Sequence, residues 1–102
     1  MAFEDLREKL LAEVASVDAT ALLPHHRRGA LILLSREEDL LAAAVAIAAD
    51  DANTIDALVA RGALTRPTLA QLADWCVDAA QRFQVLILQP YVLAQLIDPR
   101  GI

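Results

Sequence analysis

Cysteine occurs once in this 102-residue chain, at Cys76. A single thiol excludes an internal disulfide and a cysteine-based zinc site, and it suits a reducing compartment. Aromatic residues make up only 4% of the chain, and Trp75 and Tyr91 read as core or interface anchors rather than ligand platforms. Basic residues are outnumbered, with 9 Lys and Arg against 14 Asp and Glu and a net charge of −5. Such a chain is repelled by phosphate backbones, which argues against general nucleic-acid affinity. The longest charge-free runs, residues 40–49 and 83–97, fall short of the ~20 apolar residues a membrane helix needs. The start, Met-Ala-Phe-Glu-Asp-Leu, carries acids where a secretory signal would be apolar. The expected location is therefore cytoplasmic, with no membrane contact.

What the chain does have is an excess of alanine and leucine. Hydrophobic residues reach 57%, against a usual ~45–50%. A chain of this size buries roughly two-thirds of its unfolded surface. Either the core is large for the chain, or apolar surface is covered by a partner. Length predicts one domain over residues 1–102, with a fraying tail at 98–102.

Residues 3–14 predict an amphipathic helix, with Phe3, Leu6, Leu10 and Val14 on one face. Residues 16–29 predict a short second helix. Pro24 belongs in its first turn and Gly29 ends it in the left-handed conformation. The apolar run 30–34 is bounded by Gly29 and Ser35 and predicts a buried strand. Ser35 and Glu38 form a capping-box pattern ahead of an apolar helix over 40–49. Asp50 and Asp51 predict the N-cap of another helix over 52–61, with Ile55, Leu58 and Val59 inward and Gly62 at its end. Residues 63–65 read as extended. Thr68 and Gln71 form a second capping-box pattern, and Leu69, Leu72, Cys76, Ala79 and Phe83 recur at helical steps.

Residues 83–97 hold no charge and are rich in β-branched side chains, which suits strands. Pro90 splits the stretch, because proline cannot donate to a strand ladder. The fold class expected is α+β: about five helices on a small antiparallel sheet of two to four strands, with a winged-helix-like core as a variant. The 30–34 strand offers one pairing edge. Part of 83–97 would then be left open, a situation soluble proteins avoid. Self-association through Val85, Ile87, Tyr91, Val92 and Leu93 follows as an expectation, most simply as a homodimer, the alternative being that residues 63–65 and the first helix cover the edge within one chain.

The chemistry-bearing patterns are sparse. His25-His26-Arg27-Arg28 is the one basic cluster and could contact an anion. Adjacent histidines on a helix point apart, so they make a poor metal pair. A helix over 52–61 would be the recognition helix of a winged-helix domain, but it offers Asp51, Asn53, Thr54 and Asp56 where DNA readout wants cations. Cys76 falls on the apolar side of its helix and reads as a small buried hydrophobe. No Gly-rich phosphate loop, serine nucleophile motif or zinc spacing occurs. Catalytic, cofactor and metal residues are expected to be absent.

The run Gln89-Pro90-Tyr91-Val92-Leu93-Ala94-Gln95 resembles a small bacterial family of uncharacterised proteins, the domain of unknown function numbered 2288. Its members carry an apolar strand followed by a Pro-aromatic-Val-Leu-x-Gln run. The helix closing in Asp50-Asp51, the helix closing in Arg61-Gly62 and Trp75 agree with it. Tyr91 stands where the family usually carries tryptophan, and Asp18-Ala19 replaces a Pro-Trp pair. The resemblance implies a bacterial cytosolic protein and brings no activity. The reading that results is a non-enzymatic interaction or regulatory module that self-associates. A nucleic-acid-binding winged-helix-like protein is the alternative.

Overall fold

The computed structural model describes residues 3–78 and 80–97. Ala79, the 98–102 tail and the Phe3 side chain, on which expectations were placed above, lie outside the described residues. Among the described residues, five α-helices and five strands alternate irregularly: α1 (Phe3–Glu13), β1 (Ala15–Asp18), a 3-10 turn (Ala19–Leu22), α2 (Leu23–Arg27), β2 (Leu31–Leu34), α3 (Leu40–Ala48), α4 (Ala52–Ala60), β3 (Leu64–Thr65), α5 (Leu69–Cys76), β4 (Arg82–Leu88) and β5 (Tyr91–Ile97).

The strands form one sheet in the order β1-β4-β5-β2-β3. β4 and β5 make an antiparallel hairpin in full register from Leu88↔Tyr91 to Arg82↔Ile97. Its two-residue turn is Gln89-Pro90, and that peptide is cis. β1 adds antiparallel to β4, β2 adds parallel to β5, and β3 adds antiparallel to β2. The expected sheet of two to four antiparallel strands is therefore corrected to five strands in a mixed sheet. The parallel pairing arises because β2 runs alongside β5, far from it in sequence, with no hairpin to reverse it.

The sheet is covered on both faces, since side chains alternate along each strand. Leu86, Leu88 and Leu93 point to one face, where Leu10 of α1, Leu40, Ala43 and Ala44 of α3 and Leu58 of α4 cover them. Phe83, Val85, Val92 and Ala94 point to the other, under Ala19, Leu22 and Leu72. Trp75 meets Phe83 edge-on at a ring separation of 5.4 Å. Each fully buried leucine or phenylalanine here stabilises the fold by about 1.5–3 kcal/mol.

Three helix ends share one hydrogen-bond pattern. After α2, Gly29 N–H donates to the His26 carbonyl and Ala30 N–H to that of His25. After α4, Gly62 and Ala63 do the same to Val59 and Leu58. After α3, Asp50 and Asp51 donate to Ile47 and Ala46. The residue at the turn is left-handed each time, with φ of 70° at Gly29, 75° at Gly62 and 56° at Asp50. Arg-Gly-Ala-Leu occurs twice, at residues 28–31 and 61–64, and this shared helix-end chemistry, leading into a strand each time, accounts for the recurrence.

The capping expectations divide. Thr68 and Gln71 form the reciprocal box expected at the start of α5. Asp51 caps α4 through Thr54 N–H, as expected. Ser35 and Glu38 do not form a box, because they sit in the turn before α3. Asp39 caps α3 by accepting from Leu41 and Ala42 N–H at 2.9 and 3.2 Å. The Ser35 hydroxyl donates instead to the Glu37 carboxylate, and Glu38 takes Arg61 at 2.6 Å.

One buried polar network pins that turn to the sheet. Gln95 is 4% exposed. Its Nε2 donates to the Ser35 and Glu38 carbonyls at 2.8 Å each, and its Oε1 accepts from Gln84 Nε2 at 2.7 Å. Every polar atom of the amide is satisfied, as a buried amide requires. The network fixes where α3 starts, and so where its far end lies over the sheet.

Candidate functional site

The far end of α3 forms one wall of an open hollow of about 430 Å³. Ile47 and Asp50 come from α3 and its terminal turn, and Ile55 and Val59 from α4. Ile32 of β2 and Leu64 of β3 line it from the sheet, and Tyr91 stands at the start of β5. Thr65 and Arg66 complete the rim. A second hollow of about 380 Å³ adjoins, sharing Ile47, Asp50 and Tyr91 and reaching Leu88 and Gln89 at the hairpin turn. Together they form an apolar groove along the α3 end of the sheet.

α4 buries Leu58 but leaves Val59 56% exposed, so Val59 is not the inner-face residue its spacing suggested. Tyr91 is 38% exposed. The register puts it on the same face as Leu88 and Leu93, which orients its ring toward α3. Arg66 donates from Nη1 to the Gly29 carbonyl at 2.6 Å, which ties the rim to the end of α2.

The residues expected at an interface do not form one surface. β4 and β5 each have a neighbour on both sides, over residues 82–85 of β4 and 92–95 of β5, so the open edge argued from sequence shrinks to short stretches such as residues 86–88 of β4. β1 and β2 supply those neighbours. Val85, Val92 and Leu93 are buried inside the chain, at 8%, 2% and 0% exposure. Ile87 is exposed, but it lies on the opposite face from Tyr91, beside Glu13 and Ala15. Tyr91 alone of the five lines the groove.

In the basic cluster, His25 and His26 are half-buried, and Arg27 and Arg28 are exposed. Arg28 Nη2 lies 2.6 Å from His25 Nδ1. The structure adds Arg66, which sequence reading passed over because 37 residues separate it from Gly29.

Cys76 is half-buried rather than buried. Leu69, expected on the same inward face, is 62% exposed, and Trp75 packs inward instead. Among the described residues no group of three or more His, Cys, Asp or Glu is placed to hold a metal ion. The hydroxyls bonded to carboxylates, Ser35 on Glu37 and Thr54 on Asp51, belong to an exposed turn and a helix cap, and neither lines the groove. Hydrogen bonds to Thr54 hold the Asp51 carboxyl below the usual carboxylate range, so it stays an anion and a cap. Among the described residues, no helix is long and apolar enough to cross a membrane.

Fold and groove define a small α+β domain with a two-faced mixed sheet and an apolar recess at the α3 end. Residues 5–96 match the family model described as "Protein of unknown function (DUF2288)", and the chain belongs to that family. It is also similar to the NMR solution structure of PA1075 from Pseudomonas aeruginosa, with 26% identity, a TM-score of 0.79, and coverage of 96% of this chain and 90% of that one. No protein with a curated description matches the sequence. Nothing in these comparisons supports a winged-helix core. α3 and α4 lie on one face of a five-stranded sheet, with α4 presenting Asn53 and Asp56 to solvent.

Proposed function

We propose that the protein is a non-enzymatic interaction module that self-associates through the groove between α3, α4 and Tyr91. The observation that carries this reading is the composition of the recess. Its floor is Ile32, Ile47, Ile55 and Leu64, and its mouth holds the exposed Val59 and Tyr91. An apolar recess edged by a few polar groups is the usual form of a binding site. A second copy is the occupant favoured by charge. The rim carries one acid, Asp50, and one base, Arg66. A two-fold axis through the groove sets each against its opposite on the other copy, so one patch is complementary to itself. The 57% hydrophobic composition is consistent with apolar surface covered by association.

Light scattering on a size-exclusion column tests this over a range of concentrations. The reading expects a mass above 11.0 kDa that rises with concentration. Val59→Lys should return it to the monomer, because an ammonium cannot be desolvated there unpaired. Val77→Lys, at a residue 86% exposed outside the groove, should leave the mass unchanged. A constant monomer mass, or equal loss with both variants, removes the self-association reading.

A further inference from the structure

The end of α2 carries a concentration of positive charge, of which the groove rim takes only Arg66. Arg27 and Arg28 close α2, and Arg66 arrives from the segment after β3 to bond the Gly29 carbonyl, one residue beyond Arg28. His25 and His26 share the same turn. The chain is acidic overall, yet no Asp or Glu occurs in residues 19–34 or 57–73, the segments that supply this corner. Ion pairs join Arg7 to Asp39 and Arg61 to Glu38, and neither takes Arg27, Arg28 or Arg66.

Capping accounts for only part of this. The last carbonyls of α2 are already occupied. The Pro24, His26 and His25 carbonyls accept from the backbone N–H groups of Arg28, Gly29 and Ala30. Arg66 spends Nη1 on the Gly29 carbonyl, and Arg28 spends Nη2 on His25 Nδ1. These contacts hold two guanidinium groups in place while leaving each fork with further N–H donors. A fixed guanidinium loses less freedom on binding an oxyanion, and its planar donors match phosphate and carboxylate geometry.

We propose that Arg28 and Arg66, with Arg27 beside them, form a binding site for a phosphate dianion. The source is a small phosphorylated molecule or a phosphorylated side chain, because the surrounding net charge of −5 opposes a long polyanion. Arg66 also lines the groove. One guanidinium cannot serve a phosphate and Asp50 of a second copy at full strength, so added phosphate weakens self-association. That consequence alone rests on the proposed function.

The test is a titration of the full chain with inorganic phosphate, followed by amide chemical shifts at constant ionic strength. Saturable shifts are expected at Arg28, Gly29 and Arg66. Arg28→Gln and Arg66→Gln should each weaken binding about fivefold to tenfold, the loss of one charge-assisted contact at an exposed site. Arg7→Gln, on α1, should bind as the wild type does. Phenyl phosphate and a phosphoserine peptide then separate the two sources, and acetate should bind more weakly than either. Shifts that do not saturate, that persist unchanged in both variants, or that acetate matches at equal concentration overturn the proposal. The shifts report residue by residue, so a protein found to be monomeric leaves this result standing or falling on its own.

Discussion

Replacing Gln95 by leucine keeps the side-chain volume and removes three hydrogen bonds at once. The Ser35 and Glu38 carbonyls lose the donors they have at 2.8 Å, and Gln84 loses its acceptor at 2.7 Å. A net hydrogen bond contributes about 0.5–1.5 kcal/mol, whereas each buried group left unpaired costs about 1–3 kcal/mol. Gln84 is half-buried and can turn to water, and the Ser35 carbonyl keeps the Glu38 N–H at 3.1 Å, so the Glu38 carbonyl dominates. The expected loss is about 1–3 kcal/mol, a sizeable share of the ~5–15 kcal/mol a domain has. Urea unfolding followed by Trp75 fluorescence and by circular dichroism measures it. Gln84→Leu should cost only about 1 kcal/mol. The double variant should resemble Gln95→Leu, because the Glu38 carbonyl loses the Gln95 donor either way. A Gln95→Leu protein within about 0.5 kcal/mol of wild type, beneath the ordinary contribution of one hydrogen bond, would refute the reasoning.

Two further outcomes follow from the helix ends. Asp50→Gly relieves a left-handed backbone at φ 56° and should raise stability by about 0.5–1 kcal/mol in the same urea assay, while weakening self-association by removing the rim acid. The Asp39 carboxyl is held below its usual range, chiefly by the N–H of Ala42 and then by Arg7. A depressed folded-state pKa contributes stability that is present above the unfolded value and lost as pH falls through the folded one. Asp39→Asn keeps the cap but cannot titrate. Its stability should therefore lie slightly below wild type at neutral pH and converge with it under acid conditions, below about pH 4. The gap should stay under about 1 kcal/mol because the carboxyl is largely exposed to screening solvent.

The sequence carried the helices well because their signals are local. Thr68 and Gln71 announce α5, Asp51 announces α4, and Gly29 and Gly62 close α2 and α4 where their conformational freedom is needed. β1 was hidden. Ala15–Asp18 has one apolar side chain turned inward, Val17, and its neighbours suggested a helix over 16–29. Part of what holds it is distant, since Arg82 bonds Ser16 Oγ and the Ser16 carbonyl at 3.2 and 2.9 Å. With β1 unseen, the 83–97 stretch looked like a strand lacking a partner, and the interface residues were drawn from what is in fact the centre of the sheet. The groove had no local signal either. Its lining gathers side chains from β2, α3, α4, β3 and β5, and of these only Tyr91 is among the residues expected at an interface from the sequence. Arg66 joined the basic cluster for the same reason, by a contact across the fold.

The most direct measurement of the central claim is an isotope-filtered NOE spectrum of a sample mixed from labelled and unlabelled chains. Tyr91 and Val59 line one groove within each chain, and the filter removes that internal signal. Contacts between the Tyr91 ring of one copy and the Val59 or Ile55 methyl groups of the other are the predicted result. Intermolecular contacts at Ile87 and Ala15 on the opposite face, or none at a concentration where the mass exceeds the monomer, would contradict the account.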